Sequence, residues 1–145
     1  MTGYVVDASV AAKWYFPEEQ SDVALRLMPT GRDDRFEVVA PELIVYEMGS
    51  LVLRKLRVGE VGIGTANSIL KRFLSLPLRM VASGKLAQAA LDLGHVLRLS
   101  YYDAWYLAAA IDLGRVLVTA DREVITLTRG TPFAEAVRML SESDL

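Results

Sequence analysis

Four acidic residues stand where chemistry is done in small mixed folds. Asp7 closes the apolar run "YVV", Asp121 follows "VLVT", Glu47 lies inside "PELIVYEMGSLVLR", and Asp103 opens "DAWYLAAAIDLG". Each has a structural explanation of its own. Ser100 and Asp103 have the spacing of a capping box, and a carboxylate there suits the positive end of a helix dipole. Asp7 and Asp121 could cap the helices that follow them, although Ser9 could take the first of those roles. Glu47 is harder to explain that way, because Ile44, Glu47 and Leu51 follow the spacing of a single, otherwise apolar helix stripe. Asp103 likewise shares its stripe with Leu107, Ala110 and Ile111. Both helical acids therefore face the body of the protein.

Bringing such acids together is costly. At about 5 Å and an effective dielectric near 20, each like-charged pair repels by roughly 3 kcal/mol, so four ionised carboxylates repel by something like ten to twenty in total. They must be protonated, separated or neutralised. The chain has no Cys and a single His, His95, which removes thiolate and multi-histidine sites and leaves oxygen as the donor. Hard divalent cations prefer that donor, and Mg2+, with Mn2+ as the second choice, takes a few carboxylates while keeping several waters. Such an ion activates water and polarises a phosphoryl oxygen, which points to phosphodiester hydrolysis.

The elements that must position these residues can be read from periodicity. Short apolar runs at "GYVVD", "FEVVAP", "LRMVA" and "RVLVTAD", with a weaker fifth at "AVRML", predict strands. Helical spacing predicts a short helix over 9–16, a second opened by Pro17 and reaching about residue 28, and a longer one opened by Pro41 and running to about residue 57. Further helices are expected over 65–74, 86–97 and 101–113, the last closed by Gly114, and another from about Arg122. Continuous apolar strands alternating with helices imply an α/β sandwich, a mostly parallel sheet of about four to five strands with helices on both faces. Ligands in such sheets bind beyond the carboxyl ends of the strands, where Asp7 and Asp121 stand.

Length and composition set the outer limits. With 145 residues, 52% of them hydrophobic, the chain is expected to form one domain over 1–145 with a sizeable core. Its most apolar run, over 101–111, contains Asp103 and is too short to cross a bilayer, and "MTGYVVDAS" lacks a signal-peptide pattern, so a cytoplasmic location without a membrane partner is expected. A net charge of −2 gives no whole-molecule attraction to nucleic acid. Lys13, Arg54, Lys55, Arg57, Lys71 and Arg72 are mostly accounted for as solvated helix surface. Trp14, Tyr15 and Phe16 in succession are too many rings for one helix face to bury, and the sequence does not say which of them packs inside and which lines an interface.

In order and spacing, "YVVDAS", "PELIVYEMGSLVLR", "LSYYDAWYLAAA" and "VLVTAD" resemble the four acidic motifs of the PIN domain, particularly those of VapC-type toxins from prokaryotic toxin-antitoxin pairs. The resemblance covers nearly the whole chain and implies a PIN-like α/β/α nuclease. It implies Asp7, Glu47 and Asp103 as core metal ligands, Asp121 as a fourth acid, and Ser9 and Thr119 as supporting hydroxyls. It further implies an RNA substrate cut by metal-activated water, a homodimer, and a small antitoxin that covers the site. Two other readings compete. A Mg2+-dependent phosphatase or phosphoacceptor domain also places an Asp after its first strand, but Ser9 stands where the common phosphatase pattern has a second Asp. A non-catalytic PIN-like binding module would lack one or more of the acids. A dinucleotide fold is opposed by the turn "DASVAAK", which has no glycines.

Overall fold

The computed structural model describes residues 2–32, 35–82 and 84–142. Its centre is a five-stranded, wholly parallel sheet in the order β3-β2-β1-β4-β5. The strands are β1 (Thr2–Val6), β2 (Phe36–Pro41), β3 (Arg79–Val81), β4 (Val116–Thr119) and β5 (Val137–Met139). All five coincide with the apolar runs of the sequence. Strands enclosed on both faces have no polar side to alternate with, and Val5, Val6, Val39, Ala40, Leu117 and Val118 are all essentially buried.

The chain runs outward from β1 through β2 to β3, then returns to place β4 on the other flank of β1. Tyr4 pairs with Val116 and Val6 with Val118, so strands far apart in sequence meet at the middle of the sheet. Right-handed crossovers then put the helices of the outward run on one face and those of the return on the other. The first layer holds α1 (Ala8–Ala12), α2 (Ser21–Leu25), α3 (Leu43–Arg57) and α4 (Ile63–Leu74), and the second α5 (Leu86–Leu97), α6 (Tyr101–Leu113) and α7 (Arg122–Thr128). Gly114 ends α6 in the left-handed conformation (φ 62°), its N–H donating to the Ala110 and Ile111 carbonyls, as the sequence predicts.

Two helix starts differ from expectation. Pro17 does not open a helix. Lys13 draws residues 18 and 19 into a turn, its Nζ 3.2 Å from Glu18 Oε2 and 2.7 Å from the Glu19 carbonyl, and left-handed Gln20 (φ 69°) delays α2 to Ser21. Pro41 is the last residue of β2, in register with Val81, and α3 starts at Leu43. A strand's final residue tolerates the missing N–H, and the following helix needs none from it. Trp14 and Phe16 are buried and Tyr15 is half-buried. Trp14 Nε1 donates to the Ala24 carbonyl at 2.8 Å, while Phe16 joins Val52, Ala66 and Ile69 in a small cluster of α3 and α4.

At the amino ends of the strands, Glu37 Oε1 accepts from Arg79 at 3.1 Å and lies 3.5 Å from Arg115 Nη2. Arg115 lies over Gly3 so closely that a Cβ there would fall 2.3 Å from its Nε.

Candidate active site

At the carboxyl ends the chain's direction reverses between β1 and β4, opening the crevice in which this class of sheet places its ligands. Asp7 leaves β1 with extended backbone and caps α1, its Oδ1 accepting from the Val10 amide at 3.2 Å. The same oxygen accepts from the Ser9 hydroxyl at 2.5 Å, and Oδ2 accepts from the Thr119 hydroxyl at 2.5 Å. Both hydroxyls are anchored in turn. Ser9 Oγ accepts from the Ala120 amide at 3.0 Å, and Thr119 Oγ1 from the Asp121 amide at 3.0 Å. One hydrogen-bonded clasp therefore joins the end of β1 to the end of β4, with Asp7, only 5% exposed, at its middle.

The remaining acids approach from three helices. Asp121 caps α7, its Oδ1 accepting from the Glu123 amide at 2.9 Å. Asp103 lies in the first turn of α6, where its N–H donates to Ser100 Oγ at 3.1 Å. The capping geometries read from sequence thus form at all three aspartates, while the acids also sense one another. Burial pushes the Asp7 carboxyl up to about 6, against the opposing hydrogen bonds of Ser9, Thr119 and Val10, and Asp103 adds repulsion. Burial likewise raises Glu47, which the Tyr106 hydroxyl opposes and Asp103 reinforces. Asp103 is raised by burial and by repulsion from Asp121 and Glu123, with Ser100 opposing. Asp103 is thus the hub of the set, coupled to Asp7, Glu47 and Asp121.

Among the described residues no ion pair reaches any of these four acids, nor do three acidic side chains already stand as a closed ligand set. The donor set is all oxygen and carries negative charge that no ion pair among the described residues offsets, which fits a hard divalent ion. Two further participants were not apparent from sequence. Glu123 adds a carboxylate beside Asp103, foreshadowed only by its place two residues after Asp121. Tyr106 brings a hydroxyl to Glu47 and Asp7, and its only signal was lying one turn after Asp103. Lys13, the basic residue nearest Asp7 in sequence, is engaged by Glu18 and Glu19.

A family model described as "PIN domain" matches residues 4–130. The chain is 32% identical over 124 residues to a protein named Ribonuclease VapC3 from Pyrobaculum aerophilum, covering 83% of this chain and 90% of the relative. It is 34% identical over 90 residues to Exonuclease VapC9 of the same organism, an alignment spanning 61% of this chain and 65% of that relative. Among solved structures, PAE2754 from Pyrobaculum aerophilum superposes with a TM-score of 0.67 at 25% identity, covering 97% of this chain and 92% of that one. A toxin-antitoxin complex from Klebsiella pneumoniae shares the fold, with a TM-score of 0.62 at 15% identity over 94% of this chain and 97% of that one.

Proposed function

The chain belongs to the PIN-domain family, and from that premise we propose that it is a divalent-metal-dependent endoribonuclease, the toxin of a toxin-antitoxin pair. The observation that carries the reading is the clasp that fixes the buried Asp7 carboxylate at the β1/β4 switch point, with Asp103 repelling both Asp7 and Glu47 and itself repelled by Asp121, and with no ion pair to any of the four acids among the described residues. These four acids would hold the ion, Mg2+ first and Mn2+ second. Once bound, such an ion supplies Lewis acidity to a phosphoryl oxygen and makes a neighbouring water more acidic.

The chain's own residues do the rest. Ser9 and Thr119 fix both Asp7 oxygens, so Asp7 meets a ligand without first losing rotational freedom. Their anchors on the amides of residues 120 and 121 tie that orientation to the sheet. With both oxygens already accepting hydroxyl hydrogen bonds, Asp7 is suited to fixed ligation and poorly placed to attack phosphorus, which counts against the phosphoacceptor reading.

Protein partners are supported by exposed apolar surface. Tyr46, Leu53, Val58 and Ile63 on and beyond α3, and Leu91 and Val96 on α5, are large hydrophobic residues open to solvent. A homodimer and a small antitoxin are the occupants this reading assigns them. Among the described residues no helix is long and apolar enough to cross a membrane, which accords with the cytoplasmic location proposed.

The test incubates the purified chain with linear and circular single-stranded RNAs in Mg2+, Mn2+ or chelator, beside Asp103→Asn. Cutting of circular RNA marks an endonuclease, since a circle offers no end. Expected are cleavage with either metal and none in chelator or in the variant. Cleavage that persists in chelator sinks the metal reading, shortening of linear RNA alone makes the enzyme an exonuclease, and an acyl-phosphate trapped on Asp7 restores the phosphoacceptor alternative.

A further inference from the structure

Tyr106 is only 1% exposed and heads the largest fully buried side chains, yet its hydroxyl makes no formed hydrogen bond. A phenylalanine would fill the same space without that oxygen. Burying an unsatisfied hydroxyl costs about 1–3 kcal/mol, so packing alone gives no reason for a tyrosine here. Its surroundings do. The hydroxyl lies beside the Glu47 carboxylate from α3 and near Asp7 from the end of β1, and the Ala8 N–H approaches the phenol oxygen. With an amide on that side, the hydroxyl proton is left for an acceptor, and the neighbouring acceptors are the two acids.

Glu47 needs such a donor. The carboxylates of Asp7 and Asp121 each accept a capping amide within one turn and the Asp103 backbone is held by Ser100, whereas Glu47 projects from the second turn of α3 on a longer side chain and, among the described residues, caps no helix. Tyr106 sits one turn beyond Asp103 on α6, so a bond from its hydroxyl to Glu47 would couple the acid of one helical layer to the acid of the other. We propose that Tyr106 is a positioning residue, whose hydroxyl holds the Glu47 carboxylate in the orientation that ligates the divalent ion. The proposal rests on the metal-site reading above.

The test measures Mn2+ binding by calorimetry, and thermal unfolding in chelator, on the full chain and on Tyr106→Phe. Expected is an apparent Kd for Mn2+ raised by about 10–100-fold, while the metal-free variant melts no lower than the parent because it no longer buries an unpaired hydroxyl. A purely structural role would lower the melting temperature, so that result, or a variant that fails to fold, overturns the proposal. Equal Mn2+ affinity in the two chains overturns it alone. Absence of Mn2+ binding by the parent overturns it together with the metal site.

Discussion

At the amino ends of the strands one carboxylate, Glu37, is shared by two guanidinium groups, Arg79 and Arg115, whereas at the carboxyl ends Asp103 repels both Asp7 and Glu47 and, among the described residues, none of the three has an ion pair. In the first arrangement the carboxylate's charge is fully compensated, and it faces a strand pairing, Gly3 with Glu37, that Arg115 covers. Carboxylates are stabilised at one edge of the sheet by charge and at the other only by hydroxyls and amides, which orient them without neutralising them. Acids that serve the fold bring their counter-ions with them, and acids that serve a ligand leave that place to it.

The contrast can be broken most sharply at Asp7. Asp7→Asn is expected to lower RNA cleavage by roughly a thousandfold or more while raising the unfolding temperature of the metal-free chain, because it removes a buried charge. A variant that loses both activity and stability would make Asp7 an ordinary structural acid. Next in size is a pH effect. The Asp7 carboxyl lies at about 6 against an ordinary 3.8, so its favourable contribution is complete below about 3.8 and is lost as pH rises through about 6, a difference of about 3 kcal/mol. Glu47 and Asp103 shift in the same direction. Urea midpoints in chelator should accordingly be higher at pH 5.5 than at pH 7.5, and saturating Mg2+ should remove that difference.

A smaller loss is expected from Thr119→Val, which keeps the shape of a fully buried side chain but removes the hydroxyl between Asp7 and the Asp121 amide. Cleavage should fall by about 10–100-fold, measured under single-turnover conditions. Smallest is Glu37→Gln at the opposite edge, where partly exposed ion pairs are worth about 1 kcal/mol in urea unfolding. RNA cleavage should be unchanged there, and a large loss of activity would show the two edges to be coupled.

The strands were legible in the sequence because a fully enclosed parallel strand must be a continuous apolar run, and even the weak "AVRML" became β5. The inward stripe of α3 was legible for the same reason, and Glu47 is half-buried on it as its neighbours implied. Ile111 was misjudged. It shares the helical spacing of Asp103 but is exposed on α6, a helix whose hydrophobicity has little sidedness to read. The start of α2 escaped because what delays it is Lys13 reaching back over the turn, a tertiary contact between residues whose local pattern says helix. Tyr106 and Glu123 escaped for a related reason. A tyrosine amid apolar residues reads as core, and only the folded chain reveals which acids lie near its oxygen.

The clasp between Asp7 and Thr119 spans 112 positions of chain, and that separation has a kinetic meaning. Closing so long a loop is slow compared with forming a helix or pairing β1 with β2. Partly folded chains can already contain Asp7 and Glu47 but not the hydroxyl that orients the first of them. On the function proposed above, the acids near the amino terminus lack that orientation until β4 docks, and cleavage is expected only of a molecule whose central sheet has been completed.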